Sequence, residues 1–177
     1  SQDVFLTNSV GISIYPSHGQ DAATIMRNAG AALDWARQQG GNNYQFYAPE
    51  MNAQALTRLG LESNLRLAIE HEEFVTHYQP IINLTSGKLV GFEALLRWQH
   101  PRLGLLPPGE FIGLAEDTGL ILDIGNWTMA AACRQTRCWQ QEGLGPLRIA
   151  VNVSARQFRD KQFSERLVTI LSEAGLE

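Results

Sequence analysis

The 177 residues suffice for one large domain or two small ones, and hydrophobic residues at 44 % with charged residues at 18 % exclude a disordered tail. Fourteen Lys and Arg against 18 Asp and Glu leave a formal charge of -4, which excludes the uniform positive field that holds a nucleic-acid backbone. Neither DNA nor RNA is therefore an expected partner, although one or two well-placed arginines can still hold a small phosphorylated ligand whatever the net charge.

In chain order, VGISIY from Val10 to Tyr15 is β-branched and aromatic, and Pro16 with Gly19 closes it, which predicts a short strand and a turn. Ala22, Ile25, Met26, Ala29, Ala32, Leu33 and Ala36 recur at helical spacing between a capping Asp21 and the stop at Gly40 and Gly41. Asn43 to Tyr47 reads as another strand. A mixed stretch follows, with a boundary near Pro49, and then a second periodic run through Leu59, Leu65, Leu67, Ala68 and Ile69 that links or caps what comes next.

Phe74 to Leu84 and Lys88 to Leu96 look like two strands joined by the turn Thr85, Ser86, Gly87. Behind Pro107 and Pro108 a short helix begins near Glu110 and ends at Gly119, and a longer one runs from about Leu122 to Gln141. Its expected buried stripe is Ile124, Trp127, Ala131, Cys133, Cys138 and Trp139, read as core and not as a cofactor box. LRIAVNVS is a nearly continuous apolar strand, and Phe158 to Ala174 returns to helical periodicity, which completes a parallel α/β rhythm.

Cys133 and Cys138 are the only cysteines, and five residues apart on a helix they face different ways, too far apart for a strain-free bridge. They point to a reducing compartment. No stretch approaches the roughly 18 apolar residues of a membrane helix, and the N-terminus has no charged region followed by an apolar one. The segment is expected to be cytoplasmic and free of membrane contact, while a longer parent can carry an anchor in the bacterial inner membrane. His71 and Glu72 begin like a zinc-protease signature, but Val75 stands where its second histidine belongs.

Two polar residues interrupt apolar strands: Glu93 in VGFEALL and Asn152 in IAVNVS. Covered on both sides, a carboxylate or an amide costs several kcal/mol of desolvation, on the order of 2–7, unless it meets a partner. A structural hydrogen bond and a solvated strand end both satisfy that demand. In a parallel barrel the C-terminal strand ends converge over one mouth, and there the two residues form an all-oxygen donor set suited to Mg²⁺ or Mn²⁺ and poorly suited to zinc. Arg97, four residues beyond Glu93 at the expected strand exit, can clamp a phosphate bidentately or form a surface ion pair. Gln79 and Pro80, at the expected end of the first strand of that pair, can read a base edge and shape a pocket.

From about Leu65 onward, HYQPIINLTSGKLVGFEALLRWQHPRLGLLPPGEFIGLAEDTGLI and IAVNVSARQF closely resemble the EAL family of cyclic di-GMP phosphodiesterases, including its naming triplet Glu93, Ala94, Leu95. The resemblance implies a (β/α)8 barrel modified at its first strand, two divalent metals, Mg²⁺ or Mn²⁺, and hydrolysis of cyclic di-GMP to linear pGpG. It implies Glu93 and Asn152 as catalytic metal ligands, Arg97 on a phosphate, Leu95 against the ligand and Gln79 near a guanine. SVGISIYP, NAGAAL and QGGNNYQFY resemble the end of a GGDEF domain, a cyclase-type module. That family usually has aspartate at Gly30, tyrosine at Asp34, lysine at Arg37 and arginine at Gly41, which puts cyclase activity in doubt.

The fold expected is thus α/β, a partial modified (β/α)8 TIM-type barrel preceded by an α+β remnant, with residues 1–48 as GGDEF tail, 49–64 as linker helix and 65–177 as EAL part. A β/α barrel needs roughly 250 residues, whereas 118 run from Gly60 to Glu177. The parent is expected to be a phosphodiesterase, or alternatively a catalytically silent cyclic di-GMP-binding regulatory module. These 177 residues alone are expected to be inactive. Open sheet edges predict a homodimer through the EAL or GGDEF parts.

Overall fold

The computed structural model describes residues 6–176, so the first five residues assigned to the opening domain, and Glu177, lie outside it. The chain divides between Gly60 and Leu61 into two compact units.

In the first unit, β1 (Val10–Ile12) and β2 (Tyr44–Phe46) pair in parallel, Val10 opposite Tyr44, with α1 (Ala22–Gln38) as the crossover. Asp21 caps α1 as its position predicts: its carboxylate accepts from the Thr24 backbone N–H and from the Thr24 hydroxyl, both at 2.8 Å. The first of these bonds does most to hold the Asp21 carboxyl below the usual carboxylate range. The strand is shorter than VGISIY predicts, because it lasts only as long as its three-residue partner and then turns at Tyr15 to His18.

The face of α1 turned inward is also more polar than its apolar spacing predicts. Asn28, Ala32 and Ala36 are buried, while Met26 is 72 % exposed. Gly11 explains the preference for alanine: a Cβ there would sit 2.1 Å from the Ala29 carbonyl oxygen, so β1 lies directly on the helix backbone. Asn28 is satisfied in place, donating to the His18 carbonyl at 2.6 Å and accepting from Asn52 at 3.2 Å. Asn52 also donates to the Tyr47 hydroxyl at 2.7 Å.

Asn52 lies on α2 (Pro49–Leu67), one unbroken helix covering both the mixed stretch and most of the second periodic run. Within the second unit, Leu61, Leu65 and the following Ala68 join the core, whereas Leu67 is exposed; Leu59, at the end of the first unit, is exposed too.

The second unit is built on a four-stranded sheet. β3 (Phe74–Ile82) and β4 (Leu89–His100) form the predicted hairpin, closed by the Asn83 carboxamide oxygen accepting from the Thr85 and Ser86 N–H groups. β4 runs four residues past Leu96, and β5 (Gly104–Leu106), a strand the sequence pattern is too short to announce, pairs with that extension. β6 (Arg148–Val151) pairs in parallel with β4 along Gly91–Ala94, on the same edge as β5. Within this sheet parallel pairing is thus confined to β4 and β6; β3 and β5 run antiparallel to β4. Mixed α/β content agrees with the expected class, while the described sheet does not itself close a barrel.

A 3-10 turn at Pro108–Glu110, α3 (Ile112–Thr118) and α4 (Ile121–Gln141) make the crossover from β5 to β6. The core between sheet and helices centres on Phe74, Trp98 and Phe111, with ring centroids 5.7–6.2 Å apart, and on Leu65 and Ile124. Trp98 is fully buried and donates its indole N–H to Glu73 at 2.9 Å. Buried His100 is structural, its Nδ1 accepting from the Arg102 and Leu103 N–H groups.

The stripe of α4 differs from the expected one. Ile124 and Cys133 are buried, Trp127, Ala131 and Trp139 are half-buried, and Cys138 is exposed. Thr128 and Thr136 complete the buried row, each hydroxyl donating to the carbonyl four residues back, so helical spacing continues through residues that composition marks as polar. Both cysteines are free, on different faces as predicted. After β6 come α5 (Ala155–Phe158) and α6 (Phe163–Ala174), and no helix among the described residues is long and apolar enough to cross a membrane.

Candidate active site

β4 separates two chemistries by alternation. Ala94, Leu96, Trp98 and His100 are buried toward the core, which leaves Glu93, Leu95 and Arg97 on the opposite, half-buried face. The register of β3 sets Gln79 opposite Glu93, His77 opposite Leu95 and Val75 opposite Arg97, and directly opposed residues share a face.

The parallel ladder then delivers Asn152. Ala150 lies opposite Glu93, the strand ends at Val151, and Asn152 is the first residue beyond it. Its Nδ2 donates to Glu93 Oε1 at 2.8 Å, joining residues 59 apart in the chain. The two strand interruptions singled out in the sequence therefore meet. Asn152 is exposed and Glu93 half-buried; their mutual bond leaves Glu93 Oε2 and Asn152 Oδ1 as oxygens for a ligand.

Three placements differ from expectation. Glu93 is not at the end of its strand, because β4 continues to His100; what ends beside it is the pairing with β6. Arg97 is likewise inside β4 and not at its exit, about 13 Å along the strand from Glu93, and its Nη1 donates to the Leu96 carbonyl at 2.7 Å. Gln79 and Pro80 precede the end of β3 by three and two residues, both exposed. For Glu93 and Arg97 the antiparallel partners β3 and β5 carry β4 past the expected end at Leu96, whereas β3 itself stops at Ile82, short of the expected Leu84.

Between β4 and helices α3 and α4 lies a largely apolar cavity of ≈ 410 Å³, lined by Ala94, Leu96, Ile124, Gly125, Asn152 and the carboxyl-bearing Glu116, among others; it reaches Asn152, while Glu93 is not part of its wall. Glu116 and His77 had no place in the sequence reading. Period-two alternation through β3 was the available signal for His77, and Glu116, with Asp117 beside it, directly follows the apolar run FIGLA. Among the described residues no group of three or more His, Cys, Asp or Glu side chains is gathered as a metal shell.

The family model described as "EAL domain" matches residues 62–177. The chain belongs to the EAL domain family. Among curated relatives, it is similar to "Bifunctional diguanylate cyclase/cyclic di-GMP phosphodiesterase MucR" of Pseudomonas aeruginosa, 47 % identical over 175 residues, covering 99 % of this chain and 26 % of that protein. It is also similar to "Cyclic di-GMP phosphodiesterase PdeR" of Escherichia coli, 41 % identical over 175 residues, 99 % of this chain and 25 % of the relative. Among solved structures, "PaMucR Phosphodiesterase, c-di-GMP complex" aligns with 67 % of this EAL chain and 48 % of its own length, at 45 % identity and a TM-score of 0.65. The chain thus spans about a quarter of the length of these curated relatives.

Proposed function

We propose that this chain forms part of a metal-dependent phosphodiesterase that cuts one phosphodiester of cyclic di-GMP and releases linear pGpG. The observation that carries it is the approach of Asn152 to Glu93 at 2.8 Å, at the end of the parallel ladder. Both side chains offer oxygen, so the donor set fits Mg²⁺ or Mn²⁺ and supplies part of a shell. A pair of such ions, when bound, provides water activation and neutralisation of charge at the phosphate.

The remaining roles belong to the same proposal, and position supports them. Glu93 and Asn152 hold the ion, Leu95 lies against the ligand at the cavity wall, and Arg97 keeps guanidinium donors beyond the one given to Leu96 for a phosphate oxygen. Gln79, exposed across from Glu93, presents an amide to a guanine edge.

The partition into a GGDEF tail at 1–48, a linker helix at 49–64 and the start of a modified (β/α)8 EAL barrel at 65–177 belongs to the same proposal. It is supported by a relative with both activities in its name whose alignment, over 175 residues, takes in the stretch before the matched EAL region as well. A cytoplasmic site and a homodimer belong to it as well, with exposed Ile81, Ile82 and Leu84 as apolar surface for the dimer.

The test uses the protein carrying the complete EAL domain. Glu93→Ala lowers Mg²⁺-dependent conversion of cyclic di-GMP to pGpG by at least about a hundredfold while the protein stays folded. Wild-type protein that binds cyclic di-GMP without cutting it would establish the silent receptor instead, and failure of both would sink the proposal.

A further inference from the structure

Asn152 is exposed and lies past the last ladder pair, Ala94 with Val151, so neither packing nor strand pairing holds it where it meets Glu93. Two residues later the chain is fixed again. The Ser154 hydroxyl accepts from the Gln157 N–H at 3.2 Å, and Gln157 Oε1 accepts from the Ser154 N–H at 3.1 Å, a reciprocal capping box.

Gln157 is a long polar side chain, yet only 3 % of it is exposed. The room for it comes from Gly125 on α4, where a Cβ would sit 1.9 Å from Gln157 Nε2 and 2.5 Å from its Cδ. Arg156 adds a second tie to the helices, donating to the carbonyls of Glu116 and Asp117 at the end of α3. The span that carries Asn152 is therefore two residues long, held by β4 on one side and by α3 and α4 on the other.

We propose that Gln157 is a positioning residue for Asn152, acting through the Ser154 capping box from a notch that Gly125 leaves in α4. The proposal rests on Asn152 being a metal ligand of the phosphodiesterase. A ligand displaced by about 1 Å loses much of its effect, so the burial of Gln157 is read out at an atom it never touches. An amide suits the position, because its oxygen serves the cap while its nitrogen end stays uncharged against α4.

The experiment compares wild type, Gln157→Ala and Gln157→Glu in the protein carrying the complete EAL domain, following cyclic di-GMP hydrolysis against Mg²⁺ concentration, with kcat, KM and Tm recorded separately. Gln157→Ala is expected to raise the half-saturating Mg²⁺ concentration about tenfold or more, with little change in KM. Gln157→Glu keeps an acceptor for the Ser154 N–H but buries a carboxylate where an uncharged end stands, so it is expected to recover only part of the response. An unchanged Mg²⁺ response with a lowered Tm would reduce Gln157 to an ordinary cap and overturn the proposal. If wild type shows no hydrolysis, the phosphodiesterase assignment fails, and the Asn152 side-chain amide resonances decide this point instead. Positioning requires the Glu93-bonded pair of signals in wild type to collapse to free-amide shifts in Gln157→Ala; an identical pair in both would end it.

Discussion

Asn28 in the first unit and Asn152 in the second are both amides next to apolar structure, and they have opposite surroundings. Asn28 is 4 % exposed, with its donor on the His18 carbonyl and its oxygen on Asn52, which ties α1, the turn before it and the first half of α2 together. Asn152 is exposed, makes one bond to a carboxylate, and leaves an oxygen beside a cavity. A polar group whose hydrogen-bonding capacity is used up inside the protein holds the fold; one with capacity left at a concave surface can hold a ligand. The cores differ in the same sense. Alanines and a polar network join two short strands to α1 in the first unit, whereas the second rests on a cluster of large rings.

The contrast is broken most forcefully at Trp98. Trp98→Ala removes a fully buried indole and its bond to Glu73, and should cost about 3–5 kcal/mol of the second unit's stability, read by denaturant unfolding. A loss under 1 kcal/mol would mean that the ring cluster is not what stabilises it.

The paired substitutions Asn28→Ala and Asn152→Ala sharpen the contrast directly. The first removes the donor to the part-buried His18 carbonyl and one of the two acceptors of Asn52, and should cost about 1–3 kcal/mol. The second should leave unfolding free energy within about 0.5 kcal/mol while abolishing the Mg²⁺ response. Equal destabilisation by both would show that Asn152 is structural too.

The smallest effect is alkaline. Burial pushes the Cys133 thiol and the Tyr78 phenol up, chiefly because the charged forms lose solvent. Both groups keep their protons longer folded than unfolded, so their contribution is fully present below the unfolded pKa values and is lost as pH rises through the folded ones. Stability of the second unit should therefore fall above about pH 9, and Cys133→Ala should flatten part of that decline in urea melts. The same decline in that variant would remove Cys133 as a cause.

Much of this was open to inspection in the sequence, for identifiable reasons. Asp21, Gly119 and the turn at Gly87 act through a few neighbouring residues, so α1, α3 and the hairpin of β3 and β4 lie close to where local chemistry puts them. Glu93 and Asn152 stood out because a carboxylate and an amide interrupt otherwise apolar runs. Strand ends were less legible: β4 is prolonged by pairing with β3 and β5, and a three-residue strand such as β5 leaves no periodic trace. Helix faces misled where asparagine or threonine does the packing, as at Asn28 and Thr128, and where Met26 faces outward.

By itself, then, the sequence determined the order and kind of most elements, singled out Glu93 and Asn152 as candidates and carried the family resemblance, since these depend on residue type and short spacing. Only the tertiary structure decided that Glu93 and Asn152 touch, that Arg97 lies within a strand, that Asn28 is buried and satisfied, and that Gly125 makes room for Gln157. Each of those facts depends on the register of strands or the approach of helices from distant parts of the chain, and such contacts are set by packing the whole unit, not by any window of neighbouring residues.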